Sequence, residues 1–186
     1  MNVQLPVHLD KPGFLAWVEG REERYELVEG RVIMMTRPTV GHGRIVSNLM
    51  FILRSQLDTK EWSVIADLGL DTGPDTLRCP DIVVDHAGAD DGDLTATSPT
   101  LLIEVLSPST TGIDLKDKVA EYLTLPDLSA YLVFAQSEAK AWCWIRGADG
   151  FPRDPVIAKS TDATIQVEAL RVTIPLERVY EGVKLP

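Results

Sequence analysis

Two short apolar runs, PDIVV at 80–84 and LLIEVL at 101–106, each enclose a single carboxylate. Runs of this length, bounded by Cys-Pro on one side and Ser-Pro on the other, read as buried β-strands rather than helices. An ionised carboxylate in such a strand is very costly unless it is paired or binds a cation. Asp81 and Glu104 therefore need partners. Side chains alternate across a strand, so Glu104 shares a face with Leu102 and Leu106, and Asp81 with Val83 and Asp85. If the two strands are neighbours, the two acids converge. Close carboxylates coexist when one is protonated or when a cation lies between them. Oxygen ligands with an incomplete shell suit Mg²⁺, which keeps several waters and meets substrate phosphates.

The segment after LLIEVLSPST is IDLKDKVAEYLTL, with helical spacing. Leu115, Val119 and Tyr122 define its inward stripe, and Lys118 lies on that stripe, while Asp117 faces solvent. A lysine on the buried side needs an anion. Asp114, four residues earlier, is one candidate and Glu104 is the other. Each residue alone has an ordinary reading: an edge or structurally paired acid for Glu104, a turn or strand-end residue for Asp81, a snorkelling side chain for Lys118. The three together in adjacent elements point to a site.

Elsewhere, Asp10 is placed to cap a short helix over Pro12–Glu19. RYELVEGRVIMM reads as a hairpin, Arg24–Val28 and Arg31–Met35, turning at Glu29-Gly30. HGRIVSNLMFILRSQL carries Ile45, Leu49, Ile52 and Leu53 at helical spacing. WSVIADLGLDTG is expected to be one strand and Arg78–Asp85 another, with Pro80 near its start or at an irregularity. SAYLVFA reads as a strand, KAWCWIR and the segments beyond Pro155 read as a C-terminal β-meander, and RVTIPLERVYEGV reads as a last strand and a short helical turn. The expected fold is α/β, a mixed β-sheet flanked by helices, with an N-terminal β-hairpin and a C-terminal β-meander. One domain is expected over residues 1–186, because the chain has 186 residues and no evident linker.

The net charge is −10, unevenly spread. Through Lys60 there are eight Lys/Arg against seven Asp/Glu, and beyond it ten against twenty-one. This argues against a protein that coats nucleic acid through a broad basic surface. It leaves room for a small basic groove, with Arg31, Arg37, Arg44 and Arg54 as candidate backbone contacts. No apolar stretch has bilayer-spanning length, and the first residues lack a signal-peptide pattern, so no membrane association and a cytoplasmic location are expected. Cys79 and Cys143 follow no metal-ligand spacing and read as buried free thiols. Trp142 and Trp144, alternating with Cys143, read as core or dimer packing.

PDIVV, IEVLSPST and the D-x-x-x-K-x-x-x-Y of Asp114, Lys118 and Tyr122 resemble the Uma-two family of restriction endonucleases, within the PD-(D/E)xK nuclease-like group. YELVEG at 25–30, HGRIVSNL at 42–49, YLVF at 131–134 and PLERVYEGV at 175–183 also resemble that family, so the likeness covers most of the chain. It implies a restriction-endonuclease-like core with Asp81 and Glu104 as ligands of Mg²⁺ or Mn²⁺. Lys118 is implied to orient or deprotonate the attacking water, or to stabilise charge on phosphate. Asp114 and Tyr122 are implied to tune that lysine. The sequence departs from the strict motif at Leu106, where lysine is usual, and Lys118 takes its place from the helix. Glu26 and His42 are weaker candidates. Glu26 reads otherwise as a solvent-facing strand residue, and His42 as a capping or core histidine.

The implied function is metal-dependent endonucleolytic hydrolysis of DNA. Two alternatives remain at this point: a non-catalytic, dimeric interaction or regulatory protein on the same fold, and a metal-dependent hydrolase of another phosphate ester. The GHGRIV segment lacks dinucleotide-binding spacing, and Ser107 and Ser109 lack a nucleophile elbow and read as helix-capping or turn residues.

Overall fold

A computed structural model describes residues 3–106 and 112–185. The elements are β1 (Val3–His8), α1 (Lys11–Val18), β2 (Tyr25–Val28), β3 (Arg31–Met34), α2 (Val40–Arg54), β4 (Trp62–Ala66), β5 (Leu70–Gly73), β6 (Thr76–Arg78) and β7 (Ile82–His86). They continue with β8 (Leu101–Val105), α3 (Gly112–Tyr122), β9 (Ala130–Phe134), β10 (Lys140–Ile145), β11 (Val156–Lys159), β12 (Thr164–Val167), β13 (Val172–Pro175) and α4 (Leu176–Val179).

The strands form a six-stranded sheet, β11-β10-β9-β8-β7-β4, a five-stranded sheet, β1-β3-β2-β6-β5, and a β12-β13 ladder. In the larger sheet β8 and β9, joined through α3, pair in parallel. Its other pairings are antiparallel. The sheet is thus mixed, with helices on both faces. On one face Ile45, Leu49 and Leu53 of α2 pack with Ile82, Val84, Leu101 and Ile103. Full burial of each such aliphatic side chain contributes roughly 1.5–3 kcal/mol. On the other face Tyr122, with half-buried Leu115 and Val119, packs α3 against Val83, Leu102, Tyr131 and Val133. Phe14 of α1 closes a third core with Leu27, Val32 and Leu77 of the five-stranded sheet.

Local chemistry sets several boundaries as expected. The Asp10 side chain accepts from the Gly13 N–H and caps α1. The β2-β3 hairpin turns through two residues in the left-handed region, Glu29 at φ 49° and Gly30 at φ 76°, the conformation a two-residue primed turn requires. Cys79 and Cys143 are free and buried. Trp144 is buried in the core.

Three expectations are corrected. WSVIADLGLDTG is two strands in different sheets, because Asp67 adopts φ 55° and turns the chain between β4 and β5. Arg78–Asp85 is likewise two strands: β6 ends in the five-stranded sheet, and β7 begins in the six-stranded sheet after Cys79-Pro80-Asp81. The proline supplies no N–H for a ladder there. The C-terminal meander is divided: β10 and β11 extend the six-stranded sheet beyond β9, whereas β12 and β13 pair with each other. Among the described residues no helix is long and apolar enough to cross a membrane.

Candidate functional site

The site begins with strand register. Ile82 pairs with Ile103 in the antiparallel β7-β8 ladder, which sets Asp81 opposite Glu104 at the next step outward. Asp81 Oδ2 accepts the Val105 N–H at 2.7 Å, so the carboxylate is fixed at the strand end. Asp85, on the same strand, has a different environment. It accepts the backbone N–H groups of His86, Thr97 and Ser98 at 2.8, 2.7 and 3.0 Å and holds the loop before β8.

Lys118 arrives from α3, whose stripe seats it over the same sheet, while Lys116 and Asp117 are exposed. Its Nζ lies 2.8 Å from Glu104 Oε1 and 3.1 Å from Glu26 Oε1. The fully buried Tyr122 donates its O–H to Glu104 Oε1 at 3.2 Å and packs edge-on against Tyr131. The side chain of Asp114 and the residues Ser107 and Ser109 lie outside what is described.

Glu26 is not solvent-facing: it is 1% exposed. The five-stranded sheet turns it inward, where it accepts the Cys79 N–H at 3.2 Å and Arg78 Nη1 at 3.3 Å. Arg78 also forks onto Glu121 of α3, with Nε–Oε2 at 2.8 Å and Nη2–Oε1 at 2.5 Å. Thr72 of β5 donates to Glu121 at 2.9 Å. Sequence reasoning passed over Arg78 and Glu121, although both carried a signal: Arg78 stands three before Asp81, and Glu121 three after Lys118.

His42 is buried near the start of α2, where Thr39 Oγ1 accepts its N–H. Its Nε2 lies 3.2 Å from Asp81 Oδ1, and its Nδ1 is buried with no hydrogen-bond partner among the described residues. At the rim Arg24 pairs with Asp67. The structure therefore brings together Asp81, Glu104, Lys118, Tyr122, Glu26 and His42. The cluster is nearly closed. The side chains of Glu26, Asp81, Lys118 and Glu104 are 2%, 7%, 8% and 12% exposed, with Glu104 the most accessible.

The electrostatics are strongly uneven. Burial pushes the Glu104 carboxyl up to about 7, with Lys118 opposing and the charges of Asp81 and Glu26 adding to the rise. Burial acts on Glu26 in the same sense, but Lys118 and Arg78 outweigh it and hold that carboxyl below its usual range. Burial would lower His42, yet the Asp81 carboxylate raises it above the ordinary imidazole value. Asp67 is raised by burial and by Asp81, against the pull of Arg24.

A divalent cation fits this donor set. Asp81 and Glu104 offer hard oxygen ligands of the kind a divalent cation takes. The bonds from Lys118 and Tyr122 both fall on Oε1 of Glu104, and among the described residues none falls on Oε2. Also among the described residues, no group of three or more His, Cys, Asp or Glu is arranged as a metal cage.

Residues 12–177 match a family described as "Putative restriction endonuclease". The uncharacterized Synechocystis sp. protein sll1609 is 27% identical over 128 residues, 66% of this chain and 72% of that one. A second uncharacterized protein of that organism, slr1290, is 24% identical over 91% of this chain and 90% of its own length. A crystal structure from Anabaena variabilis, described as "a putative nuclease belonging to DUF820", superposes with a TM-score of 0.77. It covers 96% of this chain and all of the other at 17% identity, a likeness of fold.

Proposed function

The chain belongs to the Uma2 family of restriction-endonuclease-like proteins, and from that membership and the clustered Asp81, Glu104 and Lys118 we propose a divalent-metal-dependent endonuclease that hydrolyses DNA phosphodiester bonds. The observation that carries the proposal is that Asp81 and Glu104 lie one step beyond the last β7-β8 pair, Ile82–Ile103, with Asp81 bound to the Val105 N–H and the Lys118 ammonium 2.8 Å from Glu104. Asp81 and Glu104 would hold Mg²⁺ or Mn²⁺. Such an ion supplies charge neutralisation at phosphate and a more acidic bound water. Lys118 places positive charge where the attacked phosphate gathers negative charge. Glu26 and Tyr122 orient Lys118 and Glu104, and His42 holds Asp81 at its other oxygen.

The test is nicking of supercoiled plasmid by pure protein with Mg²⁺ or Mn²⁺. Nicking that EDTA abolishes supports the proposal. Turnover of bis(p-nitrophenyl) phosphate with intact plasmid would select a hydrolase of another phosphate ester.

One observation favours a second reading, a non-catalytic interaction protein on the same fold. Lys118 and Arg78 already compensate Glu26, Glu104 and Glu121 from within the chain, as in a structural ion-pair network. Absence of nicking at every metal concentration, with no Mn²⁺ binding, would select it. The proposal extends to a cytoplasmic homodimer. Exposed Val156 and Ile157 on the edge strand β11 are the surface a second copy would cover. Sedimentation as a monomer at all concentrations would remove the dimer.

A further inference from the structure

We infer that Arg78 is a positioning residue of this site, acting through Glu26 to set where the Lys118 ammonium sits relative to Glu104; the inference rests on the nuclease reading above. Leu27 pairs with Leu77 in the antiparallel β2-β6 contact, so Glu26 stands opposite Arg78 as Asp81 stands opposite Glu104. Two cross-strand pairs, one from each main sheet, therefore meet beneath α3. Arg78 is the hinge between them. One guanidinium nitrogen reaches Glu26 on β2, and two others grip Glu121 of α3 in a fork. A planar guanidinium fixes a carboxylate in direction as well as distance, which an ammonium does not.

Glu121 and Lys118 are three residues apart on α3 and are neighbours on one side of it. The fork thus fixes the rotation and height of the helix that carries Lys118. Glu26 divides its oxygens, Oε2 to Arg78 and Oε1 to Lys118. Without Arg78, Glu26 keeps Lys118 as its cation and draws the ammonium away from Glu104. The lysine is then misplaced for chemistry, while Glu104 is less occupied and more open to a metal ion. Rate and metal affinity should therefore separate, which a purely structural role would not produce.

The experiment compares wild type, Arg78→Gln, Arg78→Lys and Glu121→Gln for Mn²⁺ affinity by titration calorimetry and for plasmid nicking rate at saturating Mn²⁺, per folded protein. For Arg78→Gln the expected result is a rate about 10- to 100-fold lower, as for a misplaced catalytic group, with Mn²⁺ binding unchanged or tighter. Arg78→Lys should recover part of the rate. Should Arg78→Gln fail to fold, Glu121→Gln carries the test, because the Glu121 side chain is partly exposed, at 24%. Its rate should fall about 3- to 10-fold at unchanged Mn²⁺ affinity. Rates within about twofold of wild type, or Mn²⁺ affinity weakening in step with the rate, overturn the inference and leave the nuclease reading standing. A wild-type protein that neither binds Mn²⁺ nor nicks overturns both.

Discussion

The Lys118 ammonium lies 2.8 Å from the Glu104 carboxylate, so α3 is tied to β8 by a nearly buried ion pair. The same nitrogen is 3.1 Å from Glu26. Lys118→Met removes the cation but leaves both acids in place, an arrangement far costlier than losing a surface pair. Urea denaturation is expected to show a loss of about 3–5 kcal/mol. Adding Glu104→Gln to that variant should recover part of it. A loss under about 1 kcal/mol for Lys118→Met, the range of an exposed pair, would mean that the ion pair is not desolvated.

Glu104 has a second consequence, for stability against pH. Its carboxyl is raised from the ordinary 4.5 to about 7 by burial and by Asp81 and Glu26. Between those values the folded chain holds this proton more tightly than the unfolded chain does. The contribution is thus present in full below about 4.5 and is lost as pH rises through about 7. Glu104→Gln removes the titration. The difference in Tm between Glu104→Gln and wild type should move in favour of the variant from about pH 5 to about pH 8 and then level off. A pH-independent difference would show that Glu104 titrates in its ordinary range.

Asp85 provides the contrast between an acid of the site and an acid of the scaffold. It is 2% exposed and bound by three backbone N–H groups. Asp85→Ala leaves those donors unsatisfied and should cost about 2–4 kcal/mol. Nicking per folded protein should be unchanged at a temperature where the variant is folded. A selective loss of nicking at unchanged Tm would reassign Asp85 to the site.

Much of the site was legible because alternation and helical spacing are local rules. LLIEVL placed Glu104 on one strand face, PDIVV placed Asp81 on the face that meets it if the strands are neighbours, and the Leu115–Val119–Tyr122 stripe laid Lys118 back over the end of the Glu104 strand. What was not legible depends on which sheet a strand joins. RCPDIVVD looks like one strand, and nothing in its periodicity says that Arg78 leaves with one sheet and Ile82 starts in another. Glu26 looked solvent-facing for the same reason. Its burial depends on β6 and α3, which lie about fifty and ninety residues further along. Asp67 in the left-handed region broke WSVIADLGLDTG, a conformation that aspartate tolerates without advertising it. Arg78 and Glu121 drew no reading of their own, because their positions three before Asp81 and three after Lys118 acquire meaning only once α3 is docked.

The most direct test of the central claim, that Asp81 and Glu104 together hold a catalytic cation, is calorimetric titration of Mn²⁺ into wild type, Asp81→Asn and Glu104→Gln, each shown to be folded. The expected result is binding to wild type and a loss of about 10- to 100-fold or more in affinity for each variant, since each removes a carboxylate ligand. Equal Mn²⁺ affinity in all three proteins would contradict it.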